Sequence, residues 1–401
     1  MNHWVIAPVI WPMLVAVAVL LTRHQGLQRW ITAAGSALGT ALVVWLVNRS
    51  RFEGMETYLP GNTLPPLGAV LVLDKLATLA LAMVTLLHLA ALVQAMARGT
   101  DRQYPMRLAL RHLLLAGLSG AVLAGDLASL GLFWGLALVS FSGLVPDFRR
   151  LVLPGGAALA VLLLVAGMQA GSANLADLAE RAAGGTDLSL AIPSLAIPSL
   201  AFLALAFLAL AGLALAGLAL WAVGFAAMLQ GPSGAAVGLS AVVVAARLML
   251  LTPMAHWLLP TAVGVALTVA AVAWHRGGVK AASLATATCG ALALYLLTQP
   301  DVGATEAGLW LLLVAGLWSF GAMLASLPLL VPMYRRRAAG VALGLVLAAL
   351  IAGAMLLPGN IPTRFANQIT AIARQLHQPE LYITAVIGLP DRPMLVPEPG
   401  L

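Results

Sequence analysis

The chain has 401 residues, 62% of them hydrophobic and only 9% charged, with a mean hydropathy of +0.99. So little polar surface excludes a soluble domain of this length and points to an all-α polytopic membrane protein. The net charge of +7 is nearly all arginine beside apolar stretches, which orients spans in a bilayer and gives no reason to expect nucleic acid as a partner. The single Cys289 leaves no disulfide framework and no cysteine-based metal or cluster site.

About twelve membrane spans are predicted, at roughly 4–22, 30–48, 67–96, 106–124, 127–145, 151–169, 198–228, 236–252, 257–274, 281–298, 308–332 and 339–357. No signal peptide stands apart from the first of them. The loops between them are asymmetric. With the N-terminus outside, one side receives Arg23, Arg29, Arg98, Arg102, Arg149, Arg150, Arg276, Lys280 and the Arg335–Arg337 run. The other receives Glu53, Glu56, Asp126, Asp177, Glu180, Asp187, Asp301, Glu306 and an acidic tail. The positive-inside rule therefore places both termini on the outer face of a cell-membrane protein. Residues 1–357 form the transmembrane domain in this reading, and 358–401 form an outer tail.

The third span, "VLVLDKLATLALAMVTLLHLAAL" (70–92), carries Asp74, Lys75 and His88. Ionisable residues inside a span mark ion paths, or anchor its end near water. Asp74 and Lys75 lie about two turns into the span, near the outer interface, and read as an anchoring pair or as part of a path. His88 follows fourteen residues later, about 21 Å further along. It reads as a single hydrogen-bonded ring or a relay member. Arg111 and His112 open the fourth span from the inner side and can snorkel. Asp126, directly after Gly125, opens the fifth, where an acid satisfies free backbone N–H groups.

Residues 190–220, "LAIPSLAIPSLAFLALAFLALAGLALAGLAL", are a low-complexity stutter. It is helical after Pro198, because leucine and alanine favour helices, and it supplies apolar length without placed chemistry. Arg247, in "AVVVAARLMLLTP", lies about 8 Å from the outer end of its span. It is expected to snorkel to water, so that Arg247→Leu should leave assembly intact; the alternative is a buried replacement cation. Lys280 reads as an inner-loop anchor. In the tail, "TRFANQITAIARQLH" (363–377) places Phe365, Ile369, Ile372 and Leu376 at helical spacing, predicting an amphipathic helix on the outer interface or on a neighbouring protein of an assembly. Phosphate-loop, zinc-protease and nucleophile-elbow motifs are absent, so a transporter or scaffold is expected rather than an enzyme, with no cofactor and no metal.

Several stretches together resemble the D-type subunits of Mrp monovalent cation/proton antiporters, which are related to the antiporter-like subunits of respiratory complex I. They are "MNHWVIAPVIWPML" at the start, "YLPGNTLPPLGAVLVLDKLATLAL" (58–81), "GLSGAVLAGDLASLGLFWGLALVSFSGL" (117–144), "GSANLADLAER" (171–181), "AVAWHRGGVKAASLATATCGALAL" (271–294) and "RQLHQPELYITAVIGLP" (374–390). The closing "LYITAVIG" separates the Mrp type from its complex I relatives. The resemblance implies inverted helical repeats with broken helices, here with the second repeat shortened. It also implies exchange of Na+ or another monovalent cation for protons, and a hetero-oligomer of membrane subunits.

Departures from the family pattern fall on the expected proton path. The family's central glutamate corresponds to Gly135, counting from Gly125–Asp126. Its next buried lysine has no counterpart, since Lys75 and Lys280 are the only lysines. The remaining path candidates are Asp74, Lys75, His88, Asp126, Arg247 and Lys280. The chain's own proton path therefore reads as degraded. A structural subunit without transport activity is the competing reading, and a membrane-arm subunit of a redox-driven pump of the complex I or hydrogenase type is a third.

Overall fold

The computed structural model describes residues 3–53, 55–60, 69–97, 104–146, 174–176, 178, 215–230, 234–250, 255–275, 281–325 and 360–378. The predicted spans 151–169 and 339–357 lie outside the described residues, as do most of the 190–220 stutter, Lys280, the Arg335–Arg337 run and the tail beyond 378.

A turn of 3-10 helix, His3–Ile6, leads into α1 (Ala7–Leu21), and α2 is Gln25–Glu53. A two-stranded antiparallel ribbon pairs β1 (Glu56–Tyr58) with β2 (Leu71–Leu73), Thr57 opposite Val72. Then follow α3 (Lys75–Ala97), α4 (Tyr104–Leu123) and α5 (Leu127–Leu144). The second half holds α6 (Leu215–Leu229), α7 (Ala235–Leu250), α8 (Ala255–His275), α9 (Ala281–Leu297), α10 (Val302–Ala325) and α11 (Asn360–Leu376). Six of the described helices are long and apolar enough to cross a membrane, and four shorter apolar ones accompany them. This is an all-α polytopic membrane protein, because only structures that satisfy their own backbone groups are stable in lipid.

Two helix starts differ from the sequence reading, and side-chain caps explain both. Residues 71–73 are strand, so α3 begins at Lys75, not near 67. The Asp74 carboxylate accepts the Ala77 N–H at 2.6 Å and its carbonyl accepts the Thr78 N–H at 2.9 Å, an N-cap that fixes the start. Likewise α10 begins at Val302 rather than near 308, because Asp301 Oδ2 accepts the Ala304 N–H at 2.8 Å.

α3 and α4 are the inner helices, 72% buried, whereas α1 and α2 are 39% and 28% buried and carry the outward apolar surface. Trp4 and Trp45 pack edge to face 5.3 Å apart beside β1 and β2, and Arg49 stands over Trp45. The exposed Trp30 sits fifteen residues from Trp45, about 22 Å along α2. The hairpin end of the bundle holds β1, β2 and the starts of α3 and α5; the far end holds Trp30 and the start of α4.

Small residues set the close crossings. Trp11 donates its indole N–H to the Gly35 carbonyl at 2.7 Å, tying α1 to α2. At the α4–α5 seam a Cβ on Gly117 would lie 2.5 Å from Ala137 N and 2.8 Å from Phe133 O. The core behind these crossings is filled by Trp134, Phe141, Leu76, Leu81, Leu87 and Leu118. The amphipathic helix α11 lies on its own chain. Ile369, Ile372 and Ala373 are buried, α11 packs on α10, and Thr305 and His377 share a 2.8 Å hydrogen bond. Its apolar stripe is therefore covered in part by α10.

Candidate functional site

At the hairpin end, Arg247 in the last turn of α7 reaches across to the cap of α3. Its Nη2 donates to both oxygens of Asp74, at 2.5 and 2.6 Å, while Nη1 donates to the Val122 carbonyl at 2.6 Å. Val122 stands in the last turn of α4, where carbonyls lack an intrahelical partner. One guanidinium thus joins three helices and uses the fork geometry that lysine cannot supply. The snorkelling reading of Arg247 is overturned: its side chain is 12% exposed and that of Asp74 is 9% exposed. Once a carboxylate neutralises it, the arginine has no need of water. Asp74 is correspondingly not paired with Lys75, which has no ion-pair partner among the described residues. Asp74 does not lie two turns inside a helix but directly precedes one, at the hairpin end of the bundle.

Asp126 has φ −140° and ψ 157° and caps α5. Its Oδ1 accepts the Ser129 N–H at 2.7 Å and its Oδ2 accepts the Val70 N–H at 2.7 Å. With Gly125 N–H bonded to Val70 O at 2.8 Å and Leu175 N–H to Gly125 O at 3.0 Å, the acid anchors a crossing of chain segments. Both carboxylate oxygens are committed to backbone donors, so Asp126 serves architecture here.

His88 is not isolated. His112, from the antiparallel α4, places its ring 5.1 Å from that of His88, centroid to centroid, with the planes inclined by 59°. His88 is 7% exposed and His112 only 1%, so the expectation that His112 snorkels is overturned. The side of α4 that carries His112 also carries the buried Leu108 and Leu115, one turn before and after it, and this stripe faces inward. The Nε2 atoms of both rings are buried without a protein hydrogen-bond partner, as is Thr85 Oγ1. Weighing the two spans separately misses this pair. The signal for it lies in their depths: His88 is nine residues before the end of α3 and His112 eight after the start of α4, so neighbouring antiparallel helices bring them level.

Gly135 lies on the side of α5 that carries Leu132 and Val139, 70% and 60% exposed. A Cβ there would meet nothing among the described residues. The position is therefore open rather than filled by a substitute side chain. Among the described residues no cluster of three or more histidine, cysteine, aspartate or glutamate side chains is arranged to hold a metal ion.

No family model matches the chain. Over 142 residues it is 32% identical to the D subunit of the Na(+)/H(+) antiporter of Bacillus subtilis, covering 35% of this chain and 29% of that protein. Over 155 residues it is 34% identical to the D subunit of a probable K(+)/H(+) antiporter of Rhizobium meliloti, covering 36% of this chain and 28% of that one. The matches thus span less than a third of the length of these relatives. Among solved structures, a chain of the archaeal membrane-bound sulfane sulfur reductase superposes with a TM-score of 0.64 at 14% identity, covering 94% of this chain and 88% of that chain. A chain of the Mrp complex from Dietzia gives 0.53 at 19% identity, with 97% and 100% covered. A chain of respiratory complex I from Thermus thermophilus gives 0.59 at 19%, with 96% and 87% covered. Over about a third of its length the protein is therefore similar to the D subunits of cation/proton antiporters, and along nearly its whole length it shares the fold of chains from the Mrp complex and complex I.

Proposed function

We propose that this chain is a membrane subunit of a multi-subunit Mrp-type antiporter exchanging Na+ or another monovalent cation for protons, working with other membrane subunits in the lipid bilayer. The observation that carries the reading is the 32% identity to the D subunit of an antiporter, joined to a fold shared with the Mrp complex along nearly the whole chain. In this reading the chain is a transporter component rather than an enzyme. The family's own proton path is interrupted within it, because Gly135 offers no carboxylate and Asp74, Asp126 and Arg247 are bound up in capping and pairing.

The test is reconstitution. Vesicles holding this chain alone should show no sodium-dependent proton movement, and vesicles holding it with its partner subunits should show it. Exchange by the isolated chain would refute the interrupted path. Absence of exchange from the full complex would overturn the antiporter reading.

The orientation in this reading places the hairpin end and both termini outside the cell. A small reporter tag at residue 1 or 401 should be reached by a membrane-impermeant reagent in intact cells. Protection of both tags until lysis would reverse the orientation.

A further inference from the structure

We infer that His88 and His112 form a two-imidazole proton site, wired by water, inside the α1–α4 half of the bundle. The inference does not rest on the antiporter reading. Two cavities meet at His88. One, of about 50 Å³, is lined by Arg111, Leu114, Leu118, Phe141 and His88. The other, of about 20 Å³, is lined by Ser36, Thr40, Thr85, Ser119, His112 and His88. Both volumes are open to water centres, and one water needs roughly 10–15 Å³ together with two to four polar partners. The second cavity supplies those partners as hydroxyls and ring nitrogens.

A buried polar atom without a partner requires an explanation, and here three of them converge: Nε2 of each histidine and Oγ1 of Thr85. Rings 5.1 Å apart can share a bridging water, and imidazole is the side chain that takes up and releases protons near neutrality. One proton per pair is the expected occupancy, because two imidazolium ions at that distance repel in a low-dielectric interior.

The surrounding elements leave the pair in charge of this region. The α1 and α5 helices carry no titratable residue. From α4, Arg111 lines the larger cavity, while Arg107 and Tyr104 lie nearer the far end. On α2 the titratable groups are Arg29, Arg49, Arg51 and Glu53, towards its two ends. Besides His88, α3 carries only Lys75, at its first residue. The α7 helix offers Arg247, bound to Asp74, α10 offers Glu306 in its opening turns, and α11 offers Arg364 and Arg374. Arg111 opposes simultaneous protonation of both rings and so reinforces single occupancy.

The test uses the assembled complex with 15N-histidine labels and two variants, His88→Gln and His112→Gln. As the pH is lowered from neutrality the wild type should take up one proton over the pair before the complex dissociates, and His112→Gln should move the titration of His88. Failure of both rings to titrate before the complex dissociates, or a His88 titration indifferent to His112→Gln, overturns the proton site. Both variants should still assemble, and neither needs to change flux, because the family path through this chain is already interrupted. A wild-type complex without flux would instead overturn the antiporter reading, with the titration still deciding the site. If a variant fails to assemble, the wild-type proton count decides.

Discussion

Arg247→Leu is expected to destabilise the protein by about 3–5 kcal/mol, the cost of breaking a buried ion pair from one side. The change leaves the Asp74 carboxylate, 9% exposed, without its counter-charge, and leaves the Val122 carbonyl without the guanidinium donor it accepts at 2.6 Å. Arg247→Lys should be intermediate, because one ammonium cannot reproduce the fork that contacts Asp74 twice and Val122 once. Combining Arg247→Leu with Asp74→Leu should recover much of the loss, since a pair replaced by apolar groups is often close to neutral. Thermal melting of the purified complex in mild detergent, followed by the fraction remaining assembled, measures all three. An Arg247→Leu protein melting with the wild type would return the arginine to the surface role expected from its sequence position.

Gly117→Val is expected to separate α4 from α5, at a cost of at least the 1–3 kcal/mol typical of overpacking. The obstacle is backbone. The new Cβ would meet Ala137 N at 2.5 Å and Phe133 O at 2.8 Å, and no rotamer change removes either atom. Gly135→Ala is the control. It lies on the same helix pair, where a Cβ meets nothing among the described residues, and should gain up to about 1 kcal/mol from helix propensity. The same melting assay, run on both variants, should show a fall for Gly117→Val and no fall for Gly135→Ala. Equal behaviour of the two would mean that the α4–α5 seam tolerates a β-carbon.

Composition and apolar length were enough to give the class and the approximate bounds of the described spans. Apolar length is imposed locally by the bilayer, so α1 to α5 and α7 to α10 can be counted without knowing their neighbours. Asp126 was also legible as a cap, because capping acts over the three residues between Asp126 and Ser129. Where a helix starts depended on the same chemistry, but on caps that apolar length alone does not reveal: Asp74 shortens α3 and Asp301 lengthens α10.

Tertiary structure alone decided which ionisable groups meet. Asp74 and Arg247 are 173 residues apart, and nothing in local periodicity ties α3 to α7. Read alone, an arginine near a span end snorkels; beside a carboxylate it stays inside, because pairing replaces hydration. His88 and His112 were closer to legibility, since a short connection between antiparallel spans sets them level. Whether their rings turn towards each other or towards lipid is a matter of helix rotation. Packing sets that rotation, because Gly117 and Gly120 turn the face of α4 that carries them onto Phe133 and Ala137 of α5.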